Sequence, residues 1–128
     1  MIIFLDTYAW IEYFIGSHQG KRVSLLLDNE DTEIFTAECS LGEIRGWCLR
    51  QKYDFVVAMS LVQSNSTILP ISQKDWISSG EERHEQRKTQ KDFGLIDALI
   101  LTKAKEHNAN IVTGDEHFKK LKNVLFLS

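Results

Sequence analysis

"GLIDALILTKAKEHNANIVTGDEHFKKLKNVLFL", residues 94–127, decides how this chain folds. Leu95, Ile96, Ala98, Leu99, Ile100, Leu101 and Ala104 surround a helix on nearly every side, the pattern of a helix buried all round. "NIVT" (110–113) and "VLFL" (124–127) are apolar runs of strand length, rich in Val, Ile and Phe. Helix, strand, short helical pattern and strand in that order call for a parallel sheet with helices packed on its faces.

The same alternation continues toward the amino terminus. Further strands are predicted at 2–5 ("IIFL"), 33–36 ("EIFT") and 67–71 ("TILPI"). Helices are predicted at about 7–15, 19–29, 38–52, 54–65, 73–88, 95–108 and 116–121. The expected fold is a three-layer α/β/α arrangement around a mostly parallel sheet, with residues 1–128 forming one domain. Pro70, the only proline, marks the third strand as an edge or a strand end.

Apolar residues make up 43% of the chain and charged residues 26%, which places it among folded globular proteins. No apolar run approaches the ~20 residues of a membrane span, and the start lacks the basic region of a secretory signal. Cys39 and Cys48, if on one helix, point ~180° apart and cannot bridge. A reduced, cytoplasmic compartment is the expectation. His18, His84, His107 and His117 lack paired metal-ligand spacing and read as surface or cap histidines. Fifteen basic against eighteen acidic residues leave a net charge of −3. A protein that grips nucleic acid by charge alone is normally basic, so such a partner needs a local basic surface or a bridging metal.

In open parallel sheets, ligands bind beyond the carboxyl ends of the strands. Asp6 follows the first strand, Asp115 follows the fourth, and Asp97 opens the buried helix. An aspartate enclosed by leucine and isoleucine loses hydration, which costs several kcal/mol unless it is paired or metal-bound. Asp6 or Thr7 also suits the cap of the first helix, and Asp115 the cap of a short one. Glu43 faces away from Leu41, Ile44 and Cys48, and Ser40-x-x-Glu43 has the form of a capping box. On periodicity alone it is a surface or cap residue.

Three blocks in order resemble the PIN-domain nucleases, especially the VapC-like toxins of toxin–antitoxin pairs. They are "IIFLDTYAWIEYF", "FTAECSLGEIRGWCLR" and the opening stretch with its Ile-Asp-Ala, Thr-x-Asp and Phe118. Residues 54–92 carry no family motif. The resemblance implies five parallel strands with the first one central. It implies that Asp6, Glu43, Asp97 and Asp115 form the acidic metal site, with Thr113, and Thr7 beside Asp6, in support. Asp92 is a further acid close to that set; Glu12, Glu38 and Glu116 stand outside it. It also implies an antitoxin partner, a homodimer and a 5′-phosphate product.

Converging carboxylates repel: two charges ~4 Å apart at an effective dielectric of ~20 cost about 4 kcal/mol. Without a cation some would hold protons at neutral pH. Oxygen-only ligands select a hard cation, Mg²⁺ or Mn²⁺. The expected activity is metal-dependent hydrolysis of RNA phosphodiesters, as a toxin or as an RNA-processing nuclease. The alternative is a catalytically weak regulator that binds RNA or protein. Arg83, Arg87, Lys88 and Lys91 form a candidate RNA rim, with Lys119, Lys120 and Lys122 a second one. Trp10, Tyr13, Phe14 and Trp47 read mainly as core, with any surplus suited to an interface. A phosphotransfer protein fits less well, because Tyr8 occupies the second position of an Asp-x-Asp motif and no aspartate follows the third strand.

Overall fold

The computed structural model describes all 128 residues. In chain order the elements are β1 (Ile2–Leu5), α1 (Thr7–Ile15), α2 (His18–Leu27), β2 (Glu33–Ala37), α3 (Ser40–Gln51) and α4 (Phe55–Asn65). Then come β3 (Thr67–Leu69), α5 (Gln73–Gln86), α6 (Leu95–Glu106), β4 (Asn110–Thr113), a 3-10 turn (Glu116–Phe118) and β5 (Val124–Phe126). All four strand pairings are parallel and the order is β3-β2-β1-β4-β5. β1 is therefore central, and β3 with Pro70 just beyond it lies at an edge, as expected.

The two-residue period of the strands divides the core. Ile3, Leu5, Ile34 and Val112 face one side, where they meet Trp10, Val23, Ile44, Cys48, Ala58 and Val62 from α1–α4. Phe4, Phe35, Ala37 and Ile111 face the other side and pack with Ala98, Ile100, Leu101 and Ala104 of α6, and Phe93 and Phe118 join them, edge-on to each other. Trp10 is fully buried, yet its indole N–H is satisfied by Thr36 Oγ1 at 3.1 Å. Phe14 continues that aromatic packing onto Trp47 and Tyr53; Trp10 is core, while Tyr13, Phe14 and Trp47 are half-buried against it.

α6 is buried from Ala98 to Leu101 and at Ala104, as its composition predicts, while Lys105 and Glu106 at its end are exposed; a lysine is buried with the apolar residues. Lys103 is 7% exposed and pairs with buried Asp75 of α5 at 3.3 Å and with Glu106 at 3.1 Å. Several element ends differ from expectation. The 116–121 helix shrinks to the 3-10 turn, and β3 stops before Pro70, which has no N–H for a ladder. α3 begins at Ser40, so Ser40 is inside the helix rather than capping it. The residue at the cap is Cys39, without a side-chain bond, and the Ser40 hydroxyl is buried with no partner. The Ser40–Glu43 capping box does not form. Cys39 and Cys48 are both free, as expected. No helix is long and apolar enough to cross a membrane.

Candidate functional site

β1 and β4 are neighbours, so Asp6 and the Thr113–Asp115 turn leave the sheet side by side. Asp6 is 4% exposed and caps α1, its Oδ1 accepting the Ala9 N–H at 2.9 Å. Burial pushes its carboxyl up to about 7; the charges of Asp115 and Asp97 add to this, against the hydrogen bonds from Thr113 and Ala9. The capping reading of Asp6 is therefore correct and incomplete. A cap explains one oxygen, while the rest of the carboxylate is desolvated beside two other acids.

Asp97 stands in the first turn of α6, whose cap, Gly94, has no side chain to offer. Burial lifts its carboxyl to about 6, followed by the charge of Asp115; His117 pulls it back and Glu43 raises it further. Asp115 caps the 3-10 turn through the His117 N–H at 2.9 Å. Its own N–H is held by Thr113 Oγ1 at 2.9 Å, so the buried threonine fixes the turn that carries the acid. Gly114 is needed between them because a Cβ there would overlap the Tyr8 ring. That ring is anchored in turn: the Tyr8 hydroxyl donates to Gln19 Oε1 at 2.9 Å, and Gln19 Nε2 donates to the Leu127 carbonyl at 2.8 Å.

Glu43 is exposed, on the first turn of α3, and its Oε1 accepts the Thr7 hydroxyl at 2.7 Å. Thr7 thus bears on the site through Glu43. The glutamate's charge reaches Asp97 and also Cys39, whose thiol is pushed up to about 12, chiefly by burial. Asp6, Asp97 and Asp115 are gathered closely enough to perturb one another, with Glu43 at the outer margin.

His117 was not expected here. Its Nδ1 lies 3.2 Å from Asp97 Oδ2 and 3.3 Å from Asp115 Oδ1, and its Nε2 lies 3.1 Å from Asp92 Oδ2. Asp97, Asp115 and His117 each bring one donor atom within 4.8 Å of the others. The expectation of a surface or cap histidine fails at this position, because lone spacing says nothing about a partner on another helix. His107, by contrast, is the cap of α6, as expected. The hydrogen bond that its ring donates to the Asp92 carboxylate, and the acidic charges around it, hold His117 more readily protonated than a free imidazole. Asp92 is held below the usual carboxylate range by the same contact.

The donor set fits a divalent cation. Three close acids, two of them uncharged for part of the neutral range, are a costly arrangement that a cation would relieve. Burial contributes more to this than mutual repulsion does. The candidate rim is partly committed elsewhere. Arg87 Nε donates to the Phe93 carbonyl at 2.8 Å and Lys88 pairs with Glu85 at 2.9 Å. Lys91 is exposed, and Arg83 lies in the last turn of α5. In the second group, Lys119 sits over the Phe126 ring at 5.4 Å.

Solved structures share this architecture. A chain of a toxin–antitoxin complex from Klebsiella pneumoniae is 23% identical with a TM-score of 0.70, over 98% of both chains. A chain of VapBC2 from Rickettsia felis, bound to a DNA fragment from its promoter, is 23% identical with a TM-score of 0.74, over 98% of this chain and 97% of that one. VapC20 of Mycobacterium tuberculosis, a Sarcin-Ricin loop cleaving toxin, is 17% identical with a TM-score of 0.73, over 91% and 92%. No curated protein matches the chain. The PIN domain family model matches residues 3–124, nearly the whole fold and every acid of the site, and the chain belongs to the PIN-domain family.

Proposed function

We propose that this protein is a metal-dependent endoribonuclease, the toxin of a toxin–antitoxin pair. The observation that carries the reading is Asp6: a carboxylate 4% exposed, at a strand end, beside two further acids, with no basic side chain to neutralise it. Full-length likeness to toxin–antitoxin proteins, among them a toxin that cleaves the Sarcin-Ricin loop, supports RNA as the substrate and a small antitoxin as the partner. A second copy of the chain is the further partner of this reading.

Asp6, Asp97 and Asp115 would hold the cation, Mg²⁺ or Mn²⁺, directly or through water, with Glu43 at its outer side. A divalent cation there supplies Lewis acidity at a phosphoryl oxygen and makes water more acidic. The chain's own residues do the rest. Thr113 fixes the Asp115 turn, and Tyr8 packs over Gly114 to hold it down. Thr7 donates to Glu43 and orients the carboxylate that would bind the cation or hold the attacking water. Attack at phosphorus breaks the P–O3′ bond and leaves a 5′-phosphate and a 3′-hydroxyl.

Incubation of the purified protein with single-stranded and structured RNAs, with Mg²⁺, Mn²⁺ or EDTA, tests the reading. Cleavage should need the metal, and Asp97→Asn should lower it by about 100-fold or more with the circular dichroism spectrum unchanged. Full activity in that variant, or in EDTA, removes the carboxylates from the mechanism. Replacing Arg83, Arg87, Lys88 and Lys91 with Ala should weaken RNA binding and flatten its salt dependence, since each phosphate contact by a single strand adds roughly 0.7 to the slope. An unchanged slope places the RNA track elsewhere.

A further inference from the structure

We propose that His117 is itself a metal ligand, with Asp92 as its outer carboxylate, so that this centre takes a divalent transition-metal ion in preference to Mg²⁺. The inference rests on the carboxylate centre described above and changes its chemistry. A site of oxygens alone favours hard cations, whereas imidazole nitrogen favours first-row transition ions.

Two separate observations carry it. The first is the spacing of donors around Nδ1, which lies 3.2 Å from Asp97 Oδ2 and 3.3 Å from Asp115 Oδ1. An ion held at about 2.1 Å by each ligand places neighbouring donors roughly 3.0–3.4 Å apart, so Nδ1 stands from each of the two carboxylate oxygens at the spacing of neighbouring ligands in one shell. The second concerns the opposite ring nitrogen. A metal-bound imidazole characteristically hands its other N–H to a carboxylate, which fixes the ring and its tautomer. Nε2 meets Asp92 Oδ2 at 3.1 Å, although Asp92 is a largely exposed side chain on the loop before α6.

The surroundings hold the ring in this pose before any ion arrives. The Asp115 carboxylate accepts the His117 backbone N–H, and Gln90 Nε2 donates to the His117 carbonyl at 2.9 Å. Phe93, fully buried, sets its ring edge-on to the imidazole at 5.9 Å. The loop between α5 and α6 thus supplies Asp92, Gln90 and Phe93, all directed at one histidine. Ligand and outer carboxylate come from segments 25 positions apart. An imidazolium ion pair without metal would satisfy the same distances, and the experiment separates the two.

The test uses Mn²⁺ with the full-length, metal-stripped protein. Pulsed electron-spin-echo spectroscopy of bound Mn²⁺ should show ¹⁴N modulation from a coordinated imidazole. The modulation should vanish in His117→Ala and His117→Gln and persist in His107→Ala. Counting free Mn²⁺ by its resonance signal, either His117 variant should bind Mn²⁺ about tenfold more weakly or worse, with Mg²⁺ affinity little changed. Asp92→Asn should keep the ¹⁴N signal and weaken Mn²⁺ binding by about tenfold. Mn²⁺ bound without ¹⁴N modulation, and unaffected by His117→Ala, overturns the proposal and leaves the carboxylate centre standing. No Mn²⁺ binding by the unaltered protein, or binding undiminished in Asp97→Asn, overturns the carboxylate centre and the proposal with it.

Discussion

Asp6 and Asp75 are the same residue type at nearly the same depth, 4% and 6% exposed, and the fold treats them in opposite ways. Asp75 is completed from within. It shares a reciprocal cap with Ser72 at the start of α5 and pairs with Lys103 of α6. The Ser72 backbone N–H, with Lys103 behind it, holds its carboxyl below the usual range despite burial. Asp6 receives the Ala9 N–H and the Thr113 hydroxyl, no cation, and two acidic neighbours, and is pushed up to about 7. A buried ion pair joins two helices in one case. In the other, three acids gather at one strand end with no basic side chain paired to the buried one.

That contrast gives opposite signs for one kind of substitution. Asp75→Asn leaves Lys103 buried with only half-exposed Glu106 beside it and should destabilise the fold by about 3 kcal/mol, read from the urea midpoint. A loss under about 1 kcal/mol would mean that α5 is held to α6 by packing alone. Asp6→Asn keeps a cap oxygen for Ala9 and removes the buried charge. It should stabilise the metal-free protein at neutral pH by about 1–3 kcal/mol while abolishing cleavage. A destabilised Asp6→Asn protein would erase the distinction between the two sites.

The pH dependence is a smaller effect that sharpens the same contrast. Asp6 and Asp97 have folded-state values of about 7 and about 6, above the ordinary 3.8. Their contribution to stability is complete below about pH 4 and is lost as pH rises through 6 and 7. Asp75 shifts downward, so its contribution is present above about pH 4 and is lost only in more acid solution. Thermal melts in EDTA should therefore show stability falling between about pH 4 and 7, and added Mn²⁺ or Mg²⁺ should restore more of it the higher the pH. A metal increment that shrinks with rising pH would contradict the carboxylate site.

The sheet was legible because its strands are short apolar runs bounded by polar turns; residues 2–5 and 110–113 carry the expected limits unchanged. Asp97 was legible for a related reason, since a charge in a helix apolar on all sides conflicts with its own surroundings. Glu43 was not. Its position faces solvent by periodicity and in the fold, and only the family resemblance gave it meaning. Lys103 and His117 were hidden more completely. Lys103 looks like an ordinary late-helix lysine until α5 covers it, 28 residues away in sequence. His117 follows Asp115 by two positions, a spacing that passes for a turn, and acquires significance only when α6 and the loop before it close around the ring.

The Tyr8 ring lying where a Cβ at Gly114 would stand has an evolutionary corollary. Positions 8 and 114 cannot drift independently: a bulkier residue at 114 demands a smaller one at 8, or the acid at 115 swings away. Among homologues these two alignment columns should covary, and a lineage that breaks the rule should also have lost its aspartate.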